Sequence, residues 1–145
     1  MHRNTVRLLV TTLVMLGLLV LSLTPAGAQD QLTIDQATVD PRTGEVTLTG
    51  TVTCSAPVTV GINGWLDQQI GHNLTVQGSF SQNVDCPGPE GAMFSIAITP
   101  DEGRFIPGEA HLIARMAGCM YNPELGYCTR IGYHLETTVR LTPAP

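Results

Sequence analysis

Four cysteines, three histidines well inside the chain and a pair of closely set serines are the residues whose types could do chemistry. Cys119 and Cys128 bracket the stretch CMYNPELGYC. A zinc knuckle sets its cysteines a few residues apart, with further ligands close by. This gap is longer, and His72, His111 and His134 lie on separate segments. A redox dithiol needs a close pair with a lowered thiol pKa, which this spacing does not supply. Acyl transfer needs a nucleophile held at a sharp turn, but GSFSQ around Ser79 and Ser81 lacks the Gly-x-Ser-x-Gly elbow. Asp67, Asp85, Asp101 and Glu102 have no spacing that sets two carboxylates across a cleft. Gly61, Gly64 and Gly71 form no phosphate cradle. The residues therefore predict no catalytic residue, no metal site and no cofactor, and the chain is not expected to be an enzyme.

Structural disulfides remain as the role for the cysteines, and the N-terminus supports them. His2, Arg3 and Arg7 precede an apolar run, Leu8 to Leu23, and then TPAGA. Ala26 and Ala28 stand where a signal peptidase reads small residues, so residues 1–28 are expected to be a signal peptide and 29–145 the domain. An uncleaved membrane anchor is the competing reading of the same run. Export places the four cysteines in an oxidising compartment, where an even number reads as two disulfides. The expected product is secreted, with no membrane insertion after cleavage. Residues 29–145 hold five arginines, no lysine and twelve acidic residues, which leaves no basic stripe for nucleic acid. A monomer is expected.

The elements that must position these residues are written with a period of two. In EVTLTGTVTC, Val46, Leu48, Val52 and Cys54 share one face while Thr47, Thr49, Thr51 and Thr53 share the other. The same alternation turns Val58, Val60 and Ile62 inward, then Leu74, Val76, Phe80 and Val84, then Ala92, Phe94, Ile96 and Ile98. Leu112, Ala114 and Met116 form a sixth set, and Leu135, Val139 and Leu141 a seventh. A first strand is expected near Ile34 to Val39. Gly- and Pro-bearing punctuation separates these sets, as in DPRTGE and PDEGRFIPGE, where Phe105 is expected to tuck under a corner. About seven short strands without a helical segment predict an all-β fold, a single antiparallel immunoglobulin-like β-sandwich, with a small barrel as its rival.

In such an alternation the second, fourth and sixth strands end at one pole, which gathers Cys54, Cys86, Cys119 and Cys128 together. All three connectivities are then open; local spacing favours Cys54–Cys86 with Cys119–Cys128, ahead of a cross-sheet Cys54–Cys119. The stretch after Cys119 becomes a stapled loop whose Met120, Tyr121, Asn122, Leu125 and Tyr127 are candidate binding residues, or else a plug for the pole. Tyrosine supplies contact area at low entropic cost. If the last two strands are neighbours, His111, Arg115, His134, Glu136 and Arg140 share an outward face, the second candidate binding surface.

GEVTLTGTVTCSAPVTV (Gly44 to Val60) and GRFIPGEAHLIARM (Gly103 to Met116) resemble segments of small exported β-sandwich proteins of actinobacteria and related bacteria, grouped as domains of unknown function. That resemblance implies fold and export, and no activity. CMYNP is similar to the disulfide-anchored reactive loop of the subtilisin inhibitors of streptomycetes, a likeness that would make Met120 and Tyr121 the protease-facing residues. Cysteine spacing and element order elsewhere depart from that second family. The expected function is a secreted, non-catalytic binding module for a protein or cell-envelope component. The alternative is a secreted protease inhibitor or small-ligand carrier.

Overall fold

The computed structural model describes residues 29–145; the expected signal peptide, 1–28, lies outside the described residues. Seven strands and no helix make up the described chain: β1 (Gln31–Val39), β2 (Val46–Thr53), β3 (Val58–Ile70), β4 (Leu74–Cys86), β5 (Ala92–Ile98), β6 (Gly108–Asn122) and β7 (Tyr127–Pro143). They form one sheet in the order β4-β3-β6-β7-β1-β2-β5. All neighbours are antiparallel except β1 and β7, which pair in parallel at Thr38–Thr142 and Val39–Pro143. The expectation of a purely antiparallel sheet is corrected here. Seven strands that alternate in direction leave the first and the last running the same way, so when those two meet they must pair in parallel.

The sheet curls until its outer strands nearly meet. Just past the end of β5, the Asp101 amide donates to the Gln77 carbonyl of β4 at 2.8 Å. Gly78 makes that approach possible, because a Cβ there would lie 2.7 Å from both Ile98 Cγ2 and the Thr99 carbonyl. The result is a nearly closed, barrel-like wall around one core.

Inward residues of the alternation fill that core. Val46, Leu48, Val52, Val60, Ile62, Leu66, Ile98 and Leu112 are all buried. Phe105 is buried at the corner between β5 and β6, as its sequence context predicts. Val58, Val84, Ala92, Leu135 and Val139, also expected inward, are half-buried against the core, and Leu74 is exposed, because it opens β4 at the tip of the tight β3–β4 connection and lies beyond the core. Gln68 takes an inward position that the alternation reserves for an apolar residue. Only 3% exposed, it presents its amide to the strand-less corner segment. Its Oε1 accepts from the Ile106 amide at 2.9 Å and its Nε2 donates to the Ile106 carbonyl at 2.8 Å. One side chain thus serves that backbone as a neighbouring strand would.

Candidate functional site

Both disulfides lie at the pole where β2, β4 and β6 end. Cys54 is joined to Cys86 and Cys119 to Cys128, with Cα separations of 6.2 and 5.6 Å, and no described cysteine is free. The local pairing read from spacing is the one present, and the Cys54–Cys119 bridge is not.

What Cys119–Cys128 staples is a hairpin rather than a loop. β6 continues through Asn122 and β7 begins at Tyr127, so Met120, Tyr121, Asn122 and Tyr127 all stand in strands. The loop expected across that stretch is corrected to a four-residue turn, Pro123 to Gly126. The cause is local. Asn122 Oδ1 accepts from the amides of Glu124 and Leu125, at 2.9 and 3.2 Å, and the Gly126 amide donates to the Asn122 carbonyl. Gly126 sits at a φ of 69°, a region that costs glycine nothing. Asn122 builds the turn, whereas its neighbours are left to face outward.

The hairpin projects. Pairing of β6 with β3 ends at Gly118, opposite Val60, and beyond that point only β7 accompanies it. A bare two-stranded ribbon is marginally stable in water, and the disulfide sits on this unsupported part. Tyr121 lies on the same side of the ribbon as both cysteines, while Tyr127 lies on the other. Tyr121 is 66% exposed, Leu125 59% and Tyr127 56%, so these side chains do not plug the pole. Met120 alone turns back, half-buried against the core.

The second candidate surface is the outward face of the β4-β3-β6-β7 part of the sheet. The register sets Arg115 opposite His134, Ile113 opposite Glu136, His111 opposite Thr138 and Glu109 opposite Arg140. His111, Arg115, His134, Glu136 and Arg140 therefore share that face. His111 Nε2 lies 3.1 Å from Glu136 Oε1 and His134 Nε2 lies 4.0 Å from Glu136 Oε2. Both contacts are solvent-exposed and contribute little to stability. Trp65, which the pattern reading passed over, stands on this face next to Ile113, with the Arg115 guanidinium 6.0 Å from its ring centroid. An odd position on β3, out of phase with Ile62 and Leu66, was the available signal. Ser79 and Ser81 point outward on β4, and Asp85 accepts a hydrogen bond from the Thr59 hydroxyl at 2.6 Å. His72 lies in the exposed turn between β3 and β4. Among the described residues, no group of His, Cys, Asp and Glu is placed to hold a metal ion.

A third feature is a groove between β1 and β7. The two strands part above their short parallel contact, and Leu32, Ile34, Ala37, Tyr133, Leu135 and Val139 line the space. Among the described residues, no helix is long and apolar enough to cross a membrane. No protein-family model matches the chain, and no curated protein or solved structure matches it.

Proposed function

We propose that this chain is an exported, non-catalytic binding module that grips a protein or cell-envelope component with the tip of its β6–β7 hairpin. One observation carries the reading: a covalently stapled, two-stranded arm reaches past the rest of the sheet with Tyr121, Leu125 and Tyr127 in solvent. Large aromatic and aliphatic side chains on a rigid support are what a contact surface uses. Two disulfides suit an oxidising compartment, which is where export would deliver the domain. The arrangement of β1, β2 and β5 on one side and β4, β3, β6 and β7 on the other is read as an immunoglobulin-like sandwich whose open side is the β1–β7 groove. The His111–Glu136 pair supports a non-catalytic reading through its exposure: it lies on solvent-exposed surface beside a shallow, open depression lined by Asp67, Glu109 and His111, where water screens its electrostatics.

The test is co-sedimentation of the exported protein with purified cell-wall sacculi, before and after the sacculi are stripped of protein. Binding should fall at least tenfold in Tyr121→Ser/Leu125→Ser/Tyr127→Ser, a change of about 1.4 kcal/mol or more. Unchanged binding by that variant would remove the hairpin as the contact. The alternative, a protease inhibitor, is favoured by the stapling of Tyr121 beside the disulfide. It requires stoichiometric inhibition of a subtilisin-type protease with one cut between Met120 and Tyr127, the halves remaining joined through Cys119–Cys128.

A further inference from the structure

β7 is the longest strand at 17 residues, and its two edges are treated differently. One edge pairs with β6 from Tyr127 to Leu141. The other meets β1 only at Thr142 and Pro143. From Tyr127 to Val139 no strand is paired to that second edge, and from Tyr133 to Val139 it forms one wall of the open groove whose far wall is Leu32 to Ala37 of β1, so a strand pairing there would enter that groove. A long free edge invites another chain, and proteins commonly blunt such edges with proline, lysine or a bulge. Tyr127 to Thr142 contains no proline, its charged side chains are Arg130, Glu136 and Arg140, and its pairing to β6 runs without a register shift.

The side chains beneath this edge are also short of cover. Ala110, Leu112, Ala114 and Met116 on β6 are buried, whereas their partners Val139, Thr137, Leu135 and Tyr133 on β7 are only half-buried. The wall of the barrel is one strand thin at this place.

We propose that the occupant is β7 of a second copy, paired antiparallel about a two-fold axis at Tyr133. Around such an axis each residue faces the one equally far on the other side of the centre. Arg130 then faces Glu136 of the second copy, and Glu136 faces its Arg130, giving two opposite-charge pairs on the outward face. On the inward face Ile131 meets Leu135, Thr129 meets Thr137 and Tyr127 meets Val139. Every one of these positions lies within the free part of the edge. Charge selects this register over its neighbours. An axis at Leu135 sets Arg130 against Arg140, and an axis at His134 sets that histidine against itself. The β4-β3-β6-β7 strands of the two copies then run as one continuous sheet across the axis. A sequence without coiled-coil or other oligomerisation signals suggests a monomer; the free edge is visible only once the strand order is known.

Sedimentation velocity on the exported, disulfide-intact protein over a wide concentration range tests this. A reversible dimer is expected. Glu136→Arg should weaken it at least tenfold, as should Arg130→Glu, and the exchanged double variant Arg130→Glu/Glu136→Arg should restore it. Tyr133→Cys should oxidise to a covalent dimer, since paired strands bring such positions within the span of a disulfide. Arg140→Cys, whose counterpart would be Gly126, should not. A monomer at every concentration overturns the proposal, and so does a dimer indifferent to the charge exchange or cross-linked equally well through both cysteine variants.

Discussion

Two disulfides close the same pole of this protein, yet they do different work because of what surrounds them. Cys54 and Cys86 are buried at 0% and 2% exposure, and they tie the end of β2 to the end of β4 through the core. Cys119 and Cys128 lie on the outer side of a ribbon that has already left the core behind. The first bridge connects strands far apart in the sheet order, whereas the second connects strands already laddered together. A crosslink is worth most where nothing else holds its ends together. By that measure the first secures the fold and the second secures a shape at the fold's edge.

Removing each bridge should separate the two roles. Cys54→Ala/Cys86→Ala closes off a loop contribution of about 4 kcal/mol in the chain-entropy view and opens a gap in the core besides. Denaturant unfolding should show a loss of about 4 kcal/mol or more. Cys119→Ser/Cys128→Ser has a ceiling of about 3 kcal/mol by the same reasoning. The measured loss should be smaller than that ceiling, because the β6–β7 ladder outlasts the bridge, and amide exchange should quicken only near the hairpin tip. Equal losses from the two pairs would erase the distinction. Gln68→Leu examines the opposite pole: it strands the Ile106 amide and carbonyl, and it should cost about 1–3 kcal/mol.

The smallest expected effect concerns Asp40 in the β1–β2 turn. The Arg42 amide donates to its carboxylate at 2.7 Å, and with a weaker bond from Thr43 this holds its pKa below the ordinary aspartate value. A depressed folded-state pKa adds stability that is present above the unfolded value and disappears as pH falls through the folded one. Carboxyl chemical shifts followed by NMR should place the Asp40 midpoint below that of an aspartate in a short unstructured peptide carrying the same turn sequence. Coincident midpoints would show that the turn's hydrogen bonds are not maintained in solution.

The alternation of EVTLTGTVTC was legible because its inward residues are all apolar and its outward ones all threonine, so one face could be read without knowing its neighbours. Gln68 was not, since its burial depends on a corner segment thirty-eight residues away in sequence that only the fold brings beside it. The turn at Asn122 to Gly126 was hidden by the disulfide frame, which reads equally well as a loop or as a hairpin. Strand order was beyond reach: no residue on β1 or β7 announces that the two will meet. For the same reason the shared face of His111, Arg115, His134, Glu136 and Arg140 could be reasoned from neighbouring strands, whereas Trp65 joined it only through the register of β3 against β6.

The parallel meeting of β1 and β7 has a mechanical consequence. Because the two strands run the same way, tension entering at Gln31 and leaving at Pro143 would pull them past one another lengthwise, loading their shared rungs together. The Ala144 amide bond to the Val39 carbonyl and the Thr142 hydroxyl bond to the Ala37 carbonyl would take that load with them. Once those rungs gave way, the chain between Cys54 and Cys86 would still be held short by its bridge, so a stretched molecule would lengthen in a limited step and then stiffen.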